Sequence, residues 1–563
     1  MPRFPLARSL LVVLVAITPL IGHADQPSRI PAGFGKPLAQ AWAPATAPAG
    51  DAEFAARTAR DADPALRVAL ESAAAASRLA GEPLHSFETL QRFYTARGLL
   101  PVWAGNGGGG PIDGLITAIA SADAHGLRPG DYHLRALESA HERGDRLALE
   151  LLATDAYLTL GAHLLGGKVD PESIEPDWTA RGRARDLAAH LEAALADGRI
   201  PASLDALQPR AAEYRVLKSM LAVYRRALGK GGWTVISAGP ALKRGDRGAR
   251  VTALRKRLQA TGLADPALSW SDEFDESLEA AVLVFQRRIG LEADGVVGAI
   301  TLRELNRSAA DRVAQIRANL ERWRWLPDDL GKRHLRVNIP DFRLEAREDG
   351  RIARVHDVVV GQTERKTPVF SGRIESVVLN PWWETPDRLA RLDKLPMFRR
   401  DADAVKRLGF QVLDREGRTV DPESIEWWSV TARDFPFRLR QQPGPKNALG
   451  QVKMLFPNKH AVYLHDTPSR DLFERNQRAF SSGCVRVDDA LGLAQWLLEA
   501  RAGVTRERIE TVTASGKETR FEVPGGVPVY LLYLTAVVDP DGSLRLLNDV
   551  YERDAALIAE LDR

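Results

Sequence analysis

The residue best suited to chemistry is Cys484, the only cysteine among the 563 residues of the chain. A single cysteine forms neither an internal disulfide nor a zinc cluster built from cysteines. A thiolate attacks carbonyl carbon readily, but the ordinary thiol pKa of about 8.5 means that it needs a neighbouring base or a positive dipole. The chemistry to consider is therefore nucleophilic attack on a carbonyl.

Three residues near Cys484 could support that attack. His465 lies 19 positions earlier, at the end of the apolar stretch 461–464, and could act as the base. Gly483 lets the backbone approach a substrate closely, so that N–H groups there could hold an oxyanion. Arg486 is two residues after Cys484 and shares its face in an extended segment, where the planar guanidinium could bind a substrate carboxylate.

A second histidine, His460, begins the same predicted strand five residues before His465. An odd separation in an extended strand places the two side chains on opposite faces, so only one can face Cys484, and we expect His465 to do so. Paired with the thiol, His465 is expected to lower the thiol pKa through an imidazolium–thiolate pair.

Two other interpretations of these residues remain open at this point. A single cysteine is more often a small buried apolar residue than a nucleophile. His460, His465 and Cys484 could also supply three metal ligands, but no His-Glu-x-x-His or similar spacing supports a zinc site. We predict no metal.

The chain begins like an exported protein. Arg3 and Arg8 precede an apolar stretch over 10–21, and Gly22-His23-Ala24 follows with small residues at the cleavage position. This order is typical of a secretory signal peptide, here 1–24, and the stretch is short for a membrane span. We expect a periplasmic protein without a membrane span after cleavage; an uncleaved anchor is the alternative.

Composition excludes several classes of protein. Apolar residues make up 45% and charged residues 27%, as in globular proteins, so the chain is not disordered throughout. Lys+Arg 77 against Asp+Glu 74 gives a net charge of +3, which predicts no nucleic-acid partner. The length allows about three to five domains.

The spacing of apolar residues divides the chain into regions. Residues 25–51 are rich in Pro and Ala, as in a tether. Residues 52–235 have helical periodicity without a nucleophile or metal pattern, which predicts a helical scaffold. Three short helices are predicted over 242–306, followed by a helical connector over 307–333.

From residue 334 the apolar period changes to two, which predicts a β-rich domain over 334–500. Residues 386–440 interrupt it with a charged, helix-prone stretch that contains Trp427 and Trp428. An insertion of that length is usually a lid or a binding loop. Residues 501–563 form a C-terminal extension, and the predicted fold class is α+β in several domains.

The pattern His…Ser-x-Gly-Cys-x-Arg resembles the signature of the L,D-transpeptidase family. The resemblance extends over 334–500, and the scaffold and connector resemble the large gammaproteobacterial type of that family. Residues 242–306 resemble the peptidoglycan-binding module of bacterial wall enzymes, with a simple spacer as the alternative. The other matching motifs are Thr367-Pro368, Asn380-Pro381-Trp382-Trp383, Gln442-Pro443-Gly444, Asn447-Ala448-Leu449-Gly450 and Lys453.

The resemblance implies a β-rich catalytic domain of the YkuD type, with a lid-like insertion, that cross-links peptidoglycan. Cys484 would attack the carbonyl between diaminopimelate and the terminal D-alanine of a tetrapeptide stem. The amine of a second diaminopimelate would then resolve the thioester. The implied partners are donor and acceptor stems, with other wall-synthesis proteins left open, and no cofactor is expected.

Other outcomes of the same site remain open. With water as acceptor the protein would be an L,D-carboxypeptidase, and with a lipoprotein lysine it would be an anchoring transpeptidase. A non-catalytic peptidoglycan-binding protein is the alternative from a different class.

The resemblance also implies roles for single residues. Cys484 would be the nucleophile, His465 the general base and acid, and the N–H groups of Gly483 and Cys484 the oxyanion hole. Ser482 stands where many shorter members carry a second histidine, so we expect Asp466 to orient His465 through its carbonyl or its side chain. The expected substrate-binding residues are Arg486, Tyr463, Ser482, Asn447 and Trp383.

Overall fold

A computed structural model describes residues 63–563 apart from residues 77, 80, 104–109, 269 and 502. The predicted signal peptide and tether lie outside the described residues. Helices dominate up to residue 324 and strands from residue 333 onward, so the predicted α+β class is confirmed. Within the described ranges, no helix is both long enough and apolar enough to cross a membrane.

The first part of the described chain is built around the helix Arg146–Gly166. Most of its residues are buried because other helices surround it. The Asp145 side chain accepts a hydrogen bond from the Ala148 N–H and so caps its N-terminus. The surrounding helices are Pro64–Ala76, Phe87–Ala96, Pro111–Ala120, Leu134–Arg143, Leu187–Asp197 and Ile200–Asp205, and the helices Pro171–Ile174 and Ala212–Gly229 complete this part of the chain.

The three helices expected over 242–306 are present as Ala249–Gln259, Glu276–Arg288 and Ala299–Leu305. Their apolar stripes face one small core that contains Val251, Leu254, Leu258, Leu278, Val282 and Phe285. The Gln286 side chain fixes the turn before the third helix, because its oxygen accepts the Gly295 N–H at 2.9 Å. A further helix, Ala309–Arg324, connects this module to the strands.

Nine strands form the main sheet. In chain order they are β1 (Arg333–Asn338), β2 (Arg343–Glu348), β3 (Arg351–Gly361), β4 (Phe370–Leu379), β5 (Val452–Leu455), β6 (Leu464–His465), β7 (Ala479–Ser481), β8 (Val485–Val487) and β9 (Thr519–Leu532). Their order in the sheet is β7-β3-β8-β6-β5-β4-β9-β1-β2, and β2 also pairs with β3. The sheet therefore closes on itself around an apolar core.

Two strands predicted from the sequence differ in the structure. The stretch 461–464 is not a strand over its length, because Ala461 has a positive φ of 54° and only Leu464 continues into β6. The apolar run over 527–538, whose composition is typical of one strand, is divided between β9 and a separate strand, Ala536–Val538. β9 lies between β4 and β1, so part of the region beyond residue 500 belongs to the main sheet.

The insertion has its own small sheet and core. Its helices are Asp387–Leu389, Leu395–Arg400 and Ala404–Arg407, with a π-helical turn at Ala390–Lys394. Its strands are Trp383–Glu384, Phe410–Leu413, Thr419–Val420 and Arg438–Gln441. Trp427 is buried in this core with Phe398 and Phe410, whereas Trp428 is exposed.

The chain ends in two helices that pack on the main sheet, followed by a hairpin and a last helix that both contact the helix Ala309–Arg324. The helix Ala490–Leu498 comes after β8, and the helix Arg506–Ala514 follows it. The strands Ala536–Val538 and Leu544–Leu546 form the hairpin, and the last helix is Asp554–Leu561. The segment before that last helix reaches the candidate site, as described below.

Candidate active site

Three neighbouring strands bring the candidate residues to one face of the main sheet. Lys453 of β5 lies opposite His465 of β6, and His465 lies opposite Arg486 of β8. Cys484 immediately precedes β8 and is two residues from Arg486, while Tyr463 is two residues from His465. Residues two apart in extended chain share a face, so all five side chains line one patch.

The turn that carries Cys484 crosses the end of β3. Its flanking strands, β7 and β8, pair with opposite edges of β3. Gly483 has φ 117°, a conformation that L side chains rarely adopt, so glycine permits this turn. Gly361 at the end of β3 must also be small, because a Cβ there would lie 2.1 Å from the Arg365 carbonyl oxygen.

His465 is buried and held as a neutral base. Its Nδ1 lies 2.5 Å from the Asp466 carbonyl oxygen. A carbonyl can only accept, so Nδ1 carries the proton and the Nε2 lone pair is available. Burial, together with the positive charge of Arg486, lowers the pKa of His465 to about 3.

Asp466 contacts His465 through its carbonyl and not through its side chain. The carboxylate accepts the Gln451 N–H at 2.8 Å and forms an ion pair with Arg470. Burial raises the pKa of this carboxyl group. Of the two groups suggested by the sequence, the backbone carbonyl is the one in position.

The Cys484 thiol is partly exposed and in its protonated form. Burial raises its pKa, while Tyr463, Arg486 and Lys453 oppose that effect. Within the described part of the chain the thiol makes no hydrogen bond to His465; it lies 3.8 Å from the Ala461 carbonyl oxygen. The raised pKa of Cys484 and the lowered pKa of His465 together favour a neutral thiol–imidazole pair over the ion pair expected from the sequence.

The backbone N–H groups of the nucleophile turn are not equivalent. The Gly483 N–H donates to the Ser481 hydroxyl at 3.1 Å, and that hydroxyl donates to the Cys484 carbonyl at 2.6 Å. Among the described residues the Cys484 N–H has no such partner. The expected oxyanion hole is therefore corrected: Gly483 N–H is already engaged, and Cys484 N–H is the donor left for a ligand.

A buried hydrogen-bond network fixes the peptide between Gly483 and Cys484. The Thr367 hydroxyl donates to the Gly483 carbonyl at 2.9 Å and accepts the Gly361 N–H at 2.8 Å. The Tyr551 hydroxyl, from the C-terminal segment, donates to the Gly361 carbonyl at 2.5 Å and accepts the Thr367 N–H at 3.2 Å. Sequence reasoning missed Tyr551, because nothing near it in the chain points to Cys484.

Replacing Thr367 with valine is expected to slow acylation of Cys484 by about 10²-fold, because the Gly483–Cys484 peptide loses its anchor and small misplacements cost that much. Thr367→Ser keeps the hydroxyl and should stay close to the wild type. The measurement is the rate at which a carbapenem, a strained acyl donor, acylates the protein, with melting temperatures to exclude unfolding. A folded Thr367→Val protein that reacts at the wild-type rate would contradict the anchoring role.

Tyr463 and Arg486 face the thiol. The Tyr463 ring packs edge-on against the His465 ring at 5.6 Å between centroids. Burial and the Cys484 thiolate raise the pKa of Tyr463, and its hydroxyl interacts with Cys484 and with the Trp383 indole. The Arg486 side chain is half-buried, and in the described ranges it has no hydrogen-bond or ion-pair partner. Both residues are therefore available to a ligand.

Asn447, by contrast, has no free group to offer. Its side chain is only 1% exposed. The amide nitrogen donates to the Pro381 and Gln442 carbonyls at 3.0 and 2.9 Å, and the amide oxygen accepts the Leu449 N–H at 2.7 Å. The expected substrate-binding role is corrected: Asn447 holds the loop at the base of the insertion.

The insertion reaches the site through two of its residues, Trp383 and Asp393. Trp383 is buried in the insertion core and contacts Tyr463, so it shapes the site from behind that ring. Asp393 accepts two hydrogen bonds from Arg365, at 2.7 and 2.8 Å. Arg365 also donates to the exposed Ser482 hydroxyl at 3.0 Å, which connects the insertion to the nucleophile turn.

His460 lies away from the patch. It sits in a turn that the Asn458 side chain stabilises by accepting the N–H groups of His460 and Val462. The imidazole packs on the Phe370 ring at 5.1 Å and lies 3.4 Å from an Asp177 carboxylate oxygen. Its separation from Cys484 thus comes from this turn rather than from strand alternation. In the part of the chain that the structure describes, no three His, Cys, Asp or Glu side chains are grouped to hold a metal ion.

Comparison with protein families identifies three domains. A family model described as "Scaffold domain" matches residues 88–221. One described as "Putative peptidoglycan binding domain" matches residues 247–305. One described as "L,D-transpeptidase catalytic domain" matches residues 332–520, which include the whole patch around Cys484.

Individual proteins are similar over part of the chain. A "Putative L,D-transpeptidase" of Haemophilus influenzae is 40% identical over 245 residues, which are 43% of this chain and 49% of that protein. The chain therefore spans about half the length of the curated relative that it matches.

Two solved structures of bacterial L,D-transpeptidases were also compared with the chain. The one from Xylanimonas cellulosilytica is 18% identical and covers 53% of this chain and 99% of its own, with a TM-score of 0.17. The one from Stackebrandtia nassauensis is 13% identical and covers 52% and 97%, with a TM-score of 0.19. Residues 332–520 therefore match the L,D-transpeptidase catalytic domain, and the same chain also matches a scaffold domain and a putative peptidoglycan-binding domain.

Proposed function

We propose that the protein is an L,D-transpeptidase that joins diaminopimelate residues of two peptidoglycan stems through a thioester on Cys484. The observation that carries this proposal is the patch itself. A partly exposed thiol, a neutral imidazole oriented by the Asp466 carbonyl and an unpaired guanidinium lie on one face of three neighbouring strands. That patch falls within the matched catalytic domain.

The first half-reaction forms the thioester. The Cys484 sulfur attacks the carbonyl between diaminopimelate and D-alanine, and its proton passes to Nε2 of His465. The Cys484 N–H donates to the oxyanion of the tetrahedral intermediate. As the carbon–nitrogen bond breaks, His465 returns the proton to the departing D-alanine amine.

The second half-reaction transfers the acyl group. The side-chain amine of an acceptor diaminopimelate attacks the thioester, and His465 takes up the proton that the amine loses. The sulfur leaves as the carbon–sulfur bond breaks and recovers that proton. Arg486, whose guanidinium is unpaired among the described residues, would hold a carboxylate of the donor stem during the first half.

An amine acceptor, rather than water, is favoured by the position of the insertion. The contacts from Asp393 to Arg365 and from Arg365 to Ser482 hold the insertion beside the nucleophile turn. A site covered in this way limits the access of water to the thioester. Hydrolysis by an L,D-carboxypeptidase and transfer to a lipoprotein lysine are the competing outcomes of the same acyl-enzyme.

The proposed place of action is the periplasm, where the signal peptide expected over 1–24 would direct the chain. The domain matched over 247–305 would supply affinity for the wall. The stems of peptidoglycan are then both the substrates and the principal binding partners.

The deciding experiment is mass spectrometry of peptidoglycan digested after incubation with the purified mature protein. We expect new dimers joined between diaminopimelate residues, together with free D-alanine. Shortened stems without dimers would indicate a carboxypeptidase. Unchanged stems on protein that still pulls down with sacculi would indicate binding without catalysis.

Loosening the insertion should divert the acyl-enzyme to water. Asp393→Asn removes the ion pair with Arg365, which we expect to raise the ratio of hydrolysed to cross-linked product about three- to tenfold. Asp387→Asn is the matched control, because among the described residues Asp387 pairs with Arg391 of the insertion and not with the nucleophile turn. The ratio of shortened stems to dimers is measured for both variants, and an equal change in both would exclude a lid role for the Asp393–Arg365 contact.

A further inference from the structure

We propose that Lys453 is a second carboxylate-binding group of the donor site and recognises the side-chain carboxylate of the donor diaminopimelate. The enzyme would then select stems in which that carboxyl group is free over stems in which it is amidated. This inference rests on the proposed function, because the donor stem supplies the carboxylate.

The position of Lys453 follows from the strand register. Lys453 and Arg486 lie on either side of His465 in one row across β5, β6 and β8. Strands are about 4.8 Å apart, so the two Cα atoms are about 10 Å apart. The ammonium group lies 5.7 Å from the centroid of the Tyr463 ring, whose hydroxyl reaches Cys484. The cation is therefore directed along the face that carries the nucleophile.

Lys453 and Arg486 both lack a counter-ion. Throughout the described residues, neither side chain has a hydrogen-bond or ion-pair partner, although both are half-buried. The carboxylates nearest to Lys453 make other contacts: Glu518 accepts the Trp382 N–H at 2.8 Å, and Glu384 lies 3.5 Å from Arg438. Partly buried cations without a partner are costly.

Several other buried cations among the described residues are paired with carboxylates. Arg324 has Glu321, and Arg312 has Glu304 at 3.0 Å. Burial lowers the pKa of both Lys453 and Arg486, which is the expected consequence of withholding an anion from them. A carboxylate of the substrate beside each cation would supply the missing partner.

The spacing of the two cations matches the two carboxylates of the donor. Arg486 is two residues from Cys484, about 7 Å between Cα atoms, whereas Lys453 is two strands away and about 12 Å distant. The carboxylate of the departing D-alanine is three bonds from the reacting carbonyl carbon, and that of the diaminopimelate side chain is six. The nearer carboxylate therefore fits Arg486 and the farther one fits Lys453.

Amidation tests this assignment because it keeps the shape of the group and removes its charge. A carboxamide forms weaker hydrogen bonds with an ammonium group than a carboxylate does. The probes are disaccharide tetrapeptides with the diaminopimelate carboxyl group free or amidated. The kcat/KM for D-alanine release is measured for the wild type, Lys453→Met, Lys453→Arg and the control Lys332→Met, an exposed lysine outside the patch.

We expect the wild type to prefer the free donor by about 10- to 100-fold. Lys453→Met should lose that preference, because its kcat/KM falls about 10-fold or more further on the free donor than on the amidated donor. Lys453→Arg should restore part of the preference, and Lys332→Met should behave as the wild type. Equal slowing of both donors by Lys453→Met, or a wild type without preference, would overturn the proposal.

A binding measurement separates this proposal from the proposed reaction. On a Cys484→Ala background, Lys453→Met should weaken equilibrium binding of the free donor about 10-fold or more and leave the amidated donor unchanged. If the wild type released D-alanine from neither donor, the proposed reaction would fail, and this binding difference would still decide the role of Lys453. No binding difference between the two donors would overturn that role.

Discussion

Replacing Cys484 with serine is expected to abolish acylation of the protein by a carbapenem, a loss of about 10⁴- to 10⁶-fold. A serine hydroxyl needs a strong base, and the environment of His465 lowers its pKa to about 3, which makes it a weak one. A carbapenem is a strained acyl donor whose ring opens onto the sulfur, so its whole mass is added to the protein. Intact-protein mass spectrometry should find one adduct on the wild type and none on Cys484→Ser.

The control for this prediction is the fold of the variant. A melting temperature close to that of the wild type would show that the loss belongs to the sulfur, because serine is close to cysteine in size. Since Cys484 is the only thiol, an adduct on Cys484→Ser would place the nucleophile on another residue. An adduct on neither protein would remove the basis for a thioester mechanism.

The sequence was sufficient to predict those helices, strands and motifs that depend on neighbouring residues in the chain. The stripe Val251, Leu254 and Leu258 predicted a buried helix face, and all three residues are fully buried. The alternation of apolar and polar residues after residue 334 predicted strands. Both predictions succeeded because the period of two in strands and of 3.6 in helices follows from backbone geometry alone. The Cys484 and His465 signals lie in short motifs and were found in the same way.

The sequence failed where partners are distant or where polar groups compete. Tyr551 is 184 residues from Thr367, and no pattern near either one indicates their hydrogen bond. Glycine at 483 suggested two oxyanion donors, but the Ser481 hydroxyl takes the Gly483 N–H. Asn447 was expected to bind substrate because its motif shows a polar side chain, but the motif does not show that four backbone groups already hydrogen-bond to that side chain.

The ionisation of the pair could not be predicted from residue types either. A cysteine beside a histidine suggested an ion pair, yet burial raises the pKa of Cys484 and lowers that of His465. Burial here depends on long-range packing of the insertion and of Tyr463 around the patch. A neutral pair means that the thiol loses its proton during attack and not before it.

Replacing His465 with alanine is expected to slow acylation by about 10²- to 10⁴-fold, the usual contribution of a general base. His460→Ala is the matched control and should change the rate little, since His460 packs on Phe370 and lies beside Asp177. The rate of carbapenem acylation is measured against pH for both variants and the wild type. Loss of acylation in His460→Ala with retention in His465→Ala would reverse the assignment.

The pH dependence gives that experiment a second readout. Because the His465 pKa is lowered to about 3, the base is neutral at pH 5, and the wild-type rate should fall only as the pH approaches 3. A decline centred near 6.5 would instead mean that His465 titrates as an exposed histidine.

The lowered pKa of His465 also affects folding, since the unfolded chain takes up a proton at His465 below about pH 6.5 and the folded chain does not. The contribution of His465 to the free energy of unfolding is therefore fully present above pH 6.5 and is lost as the pH falls towards 3. Urea unfolding measured at pH 8 and at pH 4.5 should show that the free energy of unfolding falls less for His465→Ala than for the wild type.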